Sequence, residues 1–503
     1  MNAKSTKQSY DGQRDGAISR SNLQAVSVIA LAGVLRLYHL GAESLWIDEG
    51  YSLRDASSHY SFTDVRPLYF RLLSFWIVLG KSEAWLRLPS AIFGILSVAL
   101  LYILVNRLYG KRPAVLASLL LAVSPLHINH SQEVRMYALT TMLVIAEVLV
   151  FVRYFDQGKP ADLIACLLVA GVAFLVFPLT IIILLPFNIL FLYQLRNPRK
   201  SLAWYGSQAM LILAGIPFIP AVMRSLREFS EAWTWRLPKP GLADLLWATR
   251  DFYLWRIPVQ SANITLLIAA YAVFVLAVAI AGTVAYYRKA RWQTNVVILW
   301  LVTPLVATAL VSNLFANIWL VRYVLYASPA YYILTALGLS AFRSIRILAF
   351  LLIGVILLPL ARLTSYYEKP HRPQWREAVA YVQSNLRPGD SIAIYRYGNR
   401  YVFDYYYSGA APWVALGSKS LTKRDFQGWT EQRISQMMTG IPKNSQRIWF
   451  ILSYQEDTGG FSIEEYIQRH YRILSTKRFE RVSIHLVAPF TAVHSRGSRY
   501  GCG

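Results

Sequence analysis

Long apolar runs, separated by short segments rich in lysine and arginine, fill the chain from Leu23 to Arg362. A bilayer core demands about 20 consecutive apolar residues from a helix that crosses it. The pattern therefore predicts a polytopic α-helical membrane protein with about eleven spans. They lie at roughly 23–40, 88–108, 114–128, 138–155, 161–177, 178–195, 203–223, 262–287, 294–312, 322–341 and 347–362.

The basic segments between the runs predict a topology, because cytoplasmic loops carry an excess of Lys and Arg. With the N-terminus in the cytoplasm, every cluster falls on that side: Arg107/Lys111/Arg112, Arg153/Lys159, Arg196/Arg199/Lys200, Arg288/Lys289/Arg291 and Arg343/Arg346. Counting the apolar segment Pro67–Gly80 as a span would break this agreement, so we expect a helix at the outer membrane face. Three outer loops follow, at about 41–87, 127–137 and 224–262.

The composition agrees with a membrane protein and argues against a nucleic-acid-binding protein. The chain has 503 residues, 55% hydrophobic and 16% charged, with a net charge of +24. Soluble domains average about 25% charged residues. Because the basic residues form small clusters between apolar runs, they predict contact with anionic membrane lipids and exclude nucleic acid as a partner.

The two ends of the chain differ from its middle. Residues 1–22 are polar and predict a disordered cytoplasmic leader. Residues 23–362 form the predicted transmembrane domain, with the large first outer loop at 41–87. The odd number of spans places residues 363–503 outside as a soluble α/β domain, with helices at Trp375–Leu386, 424–438 and 462–470 and strands at Ser391–Tyr397, Arg447–Ser453 and Val482–Val487.

Two adjacent carboxylates, Asp48 and Glu49, lie in the stretch Glu43–Ser52, immediately outside the first span. Anionic headgroups repel such a pair. A functional reason for it exists, because glycosyl transfer needs a base for the acceptor hydroxyl and a carboxylate can stabilise an oxocarbenium-like transition state. The alternative is a solvated pair of loop charges.

Basic residues at the outer ends of spans are candidates to hold a phosphate. Arg135 lies in Ser131–Leu139, Arg322 precedes Tyr323, and Arg66 precedes the segment Pro67–Phe70. A guanidinium group can bind phosphate through two parallel hydrogen bonds. Each of these arginines could equally be an interfacial anchor whose charge reaches the headgroups. Their combined value is that all fall on the predicted outer side.

His127, His130 and Glu133 have spacing that could hold a metal ion, although polar residues are also usual at span ends. Glu147 stands in the middle of a span, where a carboxylate is by default a functional hypothesis. Pairing with a neighbouring helix is the alternative, and the sequence assigns Glu147 no role.

Together these segments resemble the GT-C glycosyltransferases of family 39, the protein O-mannosyltransferase and aminoarabinose-transferase type. Ser44–Glu49 resembles that family's acidic first-loop motif, and Ser131–Tyr137 resembles its SQEARMY motif. Arg66–Phe70, continued by Gly80 and Glu83–Ser90, resembles its HPPLYY…G…RLPS block, with one proline missing. Arg322-Tyr323 with Pro329 resembles its late RY…P block. The ordered set is more specific than any one motif.

The resemblance implies an inverting glycosyltransferase that uses a sugar on a polyprenyl phosphate, on the non-cytoplasmic face of a bacterial inner membrane. It implies a catalytic role for Asp48 with Glu49 beside it. The residues implied near the donor phosphate or sugar are Arg66, Tyr69, Arg135, Tyr137, Arg322 and Tyr323. Some relatives use a divalent ion and others do not, so a metal cofactor stays open, and no nucleotide is required. The acceptor could be a protein, a lipid or a glycan.

Two other classes of protein remain as alternatives. A transporter or lipid flippase would explain Glu147 and the prolines within spans, but the sequence shows no second matching half. A receptor would bind its ligand through the outer α/β domain and would not need Asp48.

Overall fold

The computed structural model describes residues 23–58, 67–192, 198–231, 238–255, 262–417, 430–442, 444–453 and 462–489. The predicted leader and Arg66 lie outside these residues. The chain divides into two compact units. The membrane unit comprises Met1–Ala42 and Asp55–Lys369, and the C-terminal unit comprises Glu43–Arg54 and Pro370–Gly503.

The described part of the membrane unit is helical. Its α-helices are Leu23–Leu37, Pro67–Leu79, Glu83–Tyr109, Lys111–Ala122, Pro125–Ser131, Tyr137–Gln157, Pro160–Val176, Leu184–Leu192, Pro198–Gly215, Ile219–Glu231, Leu242–Leu254, Ala262–Tyr287, Arg291–Leu314, Ser328–Ala341 and Ile345–Glu368. Short 3-10 helices at Pro178–Ile183, Ile216–Phe218 and Val321–Ala327 connect some of them.

The helix ends follow local chemistry. Ser82 begins the helix Glu83–Tyr109, because its hydroxyl accepts a hydrogen bond from the backbone N–H of Trp85. Gly158 ends the helix Tyr137–Gln157 in the left-handed conformation, at φ 67°, which glycine adopts without a steric penalty. Glycine also permits close packing: a Cβ on Gly338 would lie 1.9 Å from the carbonyl oxygen of Val278.

Among the described residues, 7 helices are long and apolar enough to cross a membrane, or 8 if the bent pair Lys111–Ala122 and Pro125–Ser131 is one span. The remaining predicted spans coincide with the shorter apolar helices Leu23–Leu37, Pro160–Val176 and Pro178–Leu192. The segment for which we predict a helix at the membrane surface is also one of these shorter apolar helices, Leu68–Leu79. The multi-pass architecture is confirmed, whereas the count of eleven crossings stays a prediction.

Burial separates helices that line the core from helices that face outward. In the most apolar 18 residues of Val321–Ala341, 94% are buried inside the protein, whereas only 6% are buried in the corresponding part of Arg199–Arg227. Exposed apolar side chains on such a helix fit lipid as their solvent. The core of the membrane unit therefore lies around Val321–Ala341 and Tyr137–Gln157. These segments carry Tyr137, Arg322 and Tyr323 of the predicted donor site.

The C-terminal unit contains a five-stranded sheet in the order β2-β1-β3-β5-β4. The strands are β1 Asp390–Tyr395, β2 Trp413–Leu416, β3 Arg447–Ser453, β4 Tyr471–Phe479 and β5 Val482–Pro489. β1 pairs with β2 and β3 in parallel, and β5 pairs with β3 and β4 antiparallel. The helices are Ile47–Ala56, whose last residues from Asp55 belong to the membrane unit, Trp375–Asn385, Arg400–Tyr406, Glu431–Met438 and Ile463–His470, with a 3-10 turn at Tyr397–Asn399.

The three predicted strands and the predicted α/β class are confirmed, and so is the helix at 375, which buries Trp375, Ala378, Val379 and Val382. The sequence missed β2 and β4. The last membrane helix continues to Glu368, so the tail begins at Pro370 and not at residue 363. Placement of this unit on the extracytoplasmic side of the membrane stays a prediction.

Candidate functional site

A break in a membrane helix precedes the segment that carries Arg135, one of the predicted donor residues. Lys111–Ala122 and Pro125–Ser131 meet at an angle of 62°. Ser124 begins the second helix by accepting a hydrogen bond from the backbone N–H of His127, and Pro125 suits the first helical position. Residues 132–136, which we call the motif segment, are non-helical and buried, and they lead into Tyr137–Gln157.

Four predicted donor residues come together in the membrane unit, and we call them the guanidinium–tyrosine cluster: Arg135, Tyr137, Arg322 and Tyr323. The Arg135 guanidinium carbon lies 5.8 Å from the Tyr137 ring centroid, and that of Arg322 lies 5.6 Å from the Tyr323 ring centroid. The two tyrosine rings lie 6.1 Å apart. Both rings pack edge-on against Phe177. Segments about 190 residues apart in sequence thus build one site.

The hydroxyl of Tyr137 is buried and has no hydrogen-bond partner among the described residues. A buried hydroxyl without a partner costs free energy, so such a group usually serves a ligand or a water. The His130 ring lies 5.0 Å from the Tyr137 ring, and His130 Nδ1 lies 2.6 Å from Glu133 Oε1. The cluster therefore combines two cations, two aromatic rings and one buried hydroxyl without a hydrogen-bond partner among the described residues.

The predicted metal set is not assembled. His130 pairs with Glu133, whereas His127 Nδ1 lies 2.9 Å from the Arg36 guanidinium. Within the described residues, no three His, Cys, Asp or Glu side chains gather closely enough to hold a metal ion.

Asp48 and Glu49 have different surroundings in the C-terminal unit. Glu49 is fully buried, and its Oε2 accepts hydrogen bonds from the Trp46 backbone N–H (3.3 Å) and from Arg372 (3.1 Å). The first of these bonds caps the helix Ile47–Ala56, which we call the acidic helix. Asp48 is half-buried, and its backbone oxygen accepts a hydrogen bond from the Ser52 hydroxyl.

The acidic helix is fixed within its unit by charges and close packing. Glu43 accepts hydrogen bonds from the backbone N–H groups of His371 and Arg372, each 3.0 Å long. Burial raises the pKa of Glu43, but the contacts with His371 and Arg372 outweigh burial and hold the pKa below its ordinary value. A Cβ on Gly50 would lie 2.7 Å from Val402, so only glycine fits there.

Sequence reasoning missed several of these residues. Glu43, His371 and Arg372 form the charge network that holds the acidic helix, but the partners are more than 300 residues apart in sequence. The available signal was that Arg372 directly follows the last span. Arg36 was also missed, although a lone arginine inside an apolar run is a signal in itself.

Tyr69 and Glu147, the other predicted residues, are both buried in helices of the membrane unit. Tyr69 is buried beside Phe70, with ring centroids 5.5 Å apart, in the helix Pro67–Leu79. Glu147 is buried in Tyr137–Gln157, and neither of its carboxylate oxygens has a hydrogen-bond partner among the described residues.

Sequence comparison links part of the chain to known proteins. Residues 64–223 match the family described as dolichyl-phosphate-mannose-protein mannosyltransferase. YkcB of Bacillus subtilis, which is named as a mannosyltransferase, is 26% identical over 169 residues, or 33% of this chain and 23% of that protein. An uncharacterised protein of Aquifex aeolicus is 25% identical over 219 residues, 39% of this chain and 44% of that one. The chain thus spans less than half the length of either relative.

Comparison with solved structures covers much more of the chain. ArnT from Cupriavidus metallidurans, bound to undecaprenyl phosphate, matches with a TM-score of 0.58 and 13% identity over 92% of this chain and 97% of that one. The Archaeoglobus fulgidus oligosaccharyltransferase AglB, with an inhibitory peptide and a dolichol-phosphate, matches with a TM-score of 0.52 and 13% identity over 86% of this chain and 69% of that one. This chain is therefore a multi-pass membrane protein with the fold of the GT-C glycosyltransferases.

Proposed function

We propose that the protein is a glycosyltransferase that moves a sugar from a polyprenyl-phosphate donor to an acceptor hydroxyl, with inversion, on the non-cytoplasmic face of the membrane. The guanidinium–tyrosine cluster is the observation that carries this proposal. The matched family is named for a dolichyl-phosphate-linked sugar, and two proteins of the same fold are bound to undecaprenyl phosphate or a dolichol-phosphate.

The cluster suits a phosphate that becomes a leaving group. When the bond between the anomeric carbon and the phosphate oxygen breaks, negative charge grows on the phosphate. Arg135 and Arg322 are positively charged, and their guanidinium groups lie over the rings of Tyr137 and Tyr323. They would therefore stabilise that growing charge with little reorganisation. The buried hydroxyl of Tyr137 would donate a further hydrogen bond to the same phosphate.

Asp48 is the proposed base. Its carboxylate would take the proton from the acceptor hydroxyl as the acceptor oxygen forms its bond to the anomeric carbon. Glu49 is a poor second base, because it is fully buried and holds Arg372. We therefore assign Glu49 to positioning the acidic helix and Asp48 to proton transfer.

The distribution of basic residues supports the proposed side of the membrane for the donor site. The basic clusters at Arg107–Arg112 and Arg288–Arg291 lie at the opposite ends of spans from the motif segment and Arg322. Positive loops stay in the cytoplasm. This favours a donor site on the periplasmic side of a bacterial inner membrane.

The test uses the full chain in membranes and a panel of radiolabelled polyprenyl-phosphate sugars, with and without a chelator of divalent ions. Release of polyprenyl phosphate and transfer of label are measured for the wild type, Asp48→Asn and Asp404→Asn. Asp404 is an exposed carboxylate of the same unit and serves as the matched control. We expect transfer to fall roughly 100-fold or more in Asp48→Asn and to stay unchanged in Asp404→Asn. Equal transfer by wild type and Asp48→Asn would remove Asp48 from the mechanism.

A lipid transporter is the second candidate, because the buried carboxylate of Glu147 lacks a partner among the described residues. This reading predicts that Glu147→Gln blocks movement of polyprenyl phosphate across reconstituted vesicles, and that Asp48→Asn does not. Absence of transfer with every donor in the panel, together with that transport pattern, would replace the glycosyltransferase proposal.

A further inference from the structure

Arg36 is a fully buried cation in the first apolar helix, Leu23–Leu37. Its guanidinium donates hydrogen bonds to the carbonyl oxygens of Ala122 (3.0 Å) and Leu121 (3.1 Å), and to Nδ1 of His127 (2.9 Å). It also donates to the Ala32 oxygen of its own helix, at 3.3 Å. A charge buried this deeply persists only where such partners offset its lost hydration.

These partners lie at the helix break. Leu121 and Ala122 end the helix Lys111–Ala122, and the chain then turns by 62° into Pro125–Ser131. The last carbonyl groups of a helix lack intrahelical donors and carry partial negative charge. Arg36 supplies both the missing donors and a compensating positive charge. It therefore stabilises the broken form of this helix over a straight continuation.

The contact also fixes the tautomer of His127. A guanidinium only donates, so Nδ1 of His127 must accept and Nε2 carries the proton. Nε2 is buried without a hydrogen-bond partner among the described residues. The Ser131 hydroxyl, 3.4 Å from Nδ1, donates to the His127 backbone oxygen at 2.6 Å. The short helix is thus attached to Arg36 through His127.

The motif segment is held by the same part of the first helix. The Gln132 side-chain amide donates to the backbone oxygens of Arg36 (3.0 Å) and Tyr38 (2.8 Å). The Tyr366 hydroxyl donates to Gln132 Oε1 at 2.8 Å, and the Ser90 hydroxyl donates to the Arg135 backbone oxygen at 3.2 Å. A buried segment without helical hydrogen bonds depends on such side-chain anchors for its shape.

We propose that Arg36 is a positioning residue of the donor site: by fixing the helix break, it sets where Arg135 presents its guanidinium to the lipid phosphate. The inference rests on the proposed function, because it requires that Arg135 binds that phosphate. Arg36 acts through Arg135, so the two residues must be energetically coupled in phosphate binding.

The test measures the affinity of undecaprenyl phosphate alone for the full chain in lipid nanodiscs. The variants are Arg36→Met, Arg135→Gln and the double variant. We expect each single variant to bind roughly 10-fold or more weakly, and the double variant to bind no more weakly than Arg135→Gln. Phe187→Ala, which removes a buried ring stacked on Phe151, is the control for lost stability alone. It should unfold at lower temperature and keep its affinity.

Two results would overturn the inference alone: normal affinity in Arg36→Met while Arg135→Gln binds weakly, or losses that add in the double variant. Normal affinity in Arg135→Gln would overturn the proposed function as well. If Arg36→Met does not fold, His127 provides the second comparison. Asn in its place keeps an oxygen that can accept from Arg36, whereas Phe does not. We expect His127→Asn to bind normally and His127→Phe weakly, and equal affinities would contradict the inference.

Discussion

The charged residues that we assign to the two parts of the reaction make different contacts in the two units. In the C-terminal unit, carboxylates meet cations: Glu49 pairs with Arg372, and Asp390 accepts two hydrogen bonds from Arg447 (2.6 and 2.8 Å). In the membrane unit, Arg135 and Arg322 stand over tyrosine rings. An ion pair satisfies both charges within the protein, whereas an aromatic face attracts a cation without supplying a full negative charge. The first arrangement suits structure and the second suits binding.

Removing one member of an ion pair should have the largest effect on stability. Arg372→Met removes an ion-pair partner of the fully buried carboxylate of Glu49, and the loss of one member of a buried pair costs about 3–5 kcal/mol. We expect hydrogen exchange in the acidic helix and in Trp375–Asn385 to speed up by several hundredfold or more. Adding Glu49→Met to this variant should restore most of the protection. If the double variant is no more protected than Arg372→Met, the pair is not what holds this helix.

A matched pair of glycine substitutions should separate the two halves of the reaction. A Cβ on Gly50 would lie 2.7 Å from Val402, and one on Gly94 would lie 2.2 Å from the Ser131 hydroxyl oxygen. Overpacking of this kind costs about 1–3 kcal/mol. Gly50→Ala should lower the rate of transfer and keep the affinity for polyprenyl phosphate, whereas Gly94→Ala should weaken that affinity. Gly171→Ala, where a Cβ meets nothing within 4 Å, is the control.

Acid should loosen the C-terminal unit before it affects the cluster. Burial raises the pKa of Asp390, but hydrogen bonds from Arg447 and Trp449 outweigh burial and hold the pKa below its ordinary value, as His371 and Arg372 do for Glu43. At these two carboxyl groups the folded unit therefore binds fewer protons than the unfolded chain, so the stability that they contribute is complete above about pH 5 and declines as the pH falls. Hydrogen exchange of β1 and β3 between pH 7 and pH 4 measures this. Asp390→Asn should flatten the dependence, and an unchanged slope would contradict the assignment.

The smallest effect concerns Glu147, the buried carboxylate of the membrane unit that has no hydrogen-bond partner among the described residues. Glu147→Gln keeps the shape and removes the acid, so we expect unchanged transfer and a gain in stability of about 1 kcal/mol or less. Thermal unfolding in detergent and the transfer assay check the two parts. Loss of transfer in this variant would give Glu147 a role that the cluster does not explain.

The sequence carried the helices and the parts of the cluster, but not their assembly. Apolar runs place the helices, because a membrane helix needs only its own backbone hydrogen bonds. The SQEVRMY segment and Arg322-Tyr323 named the cluster residues, yet nothing local shows that Tyr137 and Tyr323 lie 6.1 Å apart. The break after Ala122 also escaped prediction, although Ser124 and Pro125 are a local signal for the start of a new helix.

In the C-terminal unit, the missed elements have physical reasons. β2 is only four residues long, and β4 is exposed along most of its length, so it lacks the alternation of apolar and polar residues that predicts a strand. The pairing of Glu49 with Arg372 joins the first loop to the chain after the last span, which no local pattern reports.

The hydroxyl of Tyr137 gives the most direct test of the donor site. Tyr137→Phe removes a buried hydroxyl without a partner among the described residues, whereas Tyr271→Phe removes one that donates to the Val355 oxygen at 2.6 Å. The measurement is the affinity of undecaprenyl phosphate for both variants, beside their thermal unfolding. We expect Tyr137→Phe to bind roughly 10-fold or more weakly without losing stability, and Tyr271→Phe to lose stability but bind normally. Wild-type affinity in Tyr137→Phe would contradict the claim that this cluster binds the donor phosphate.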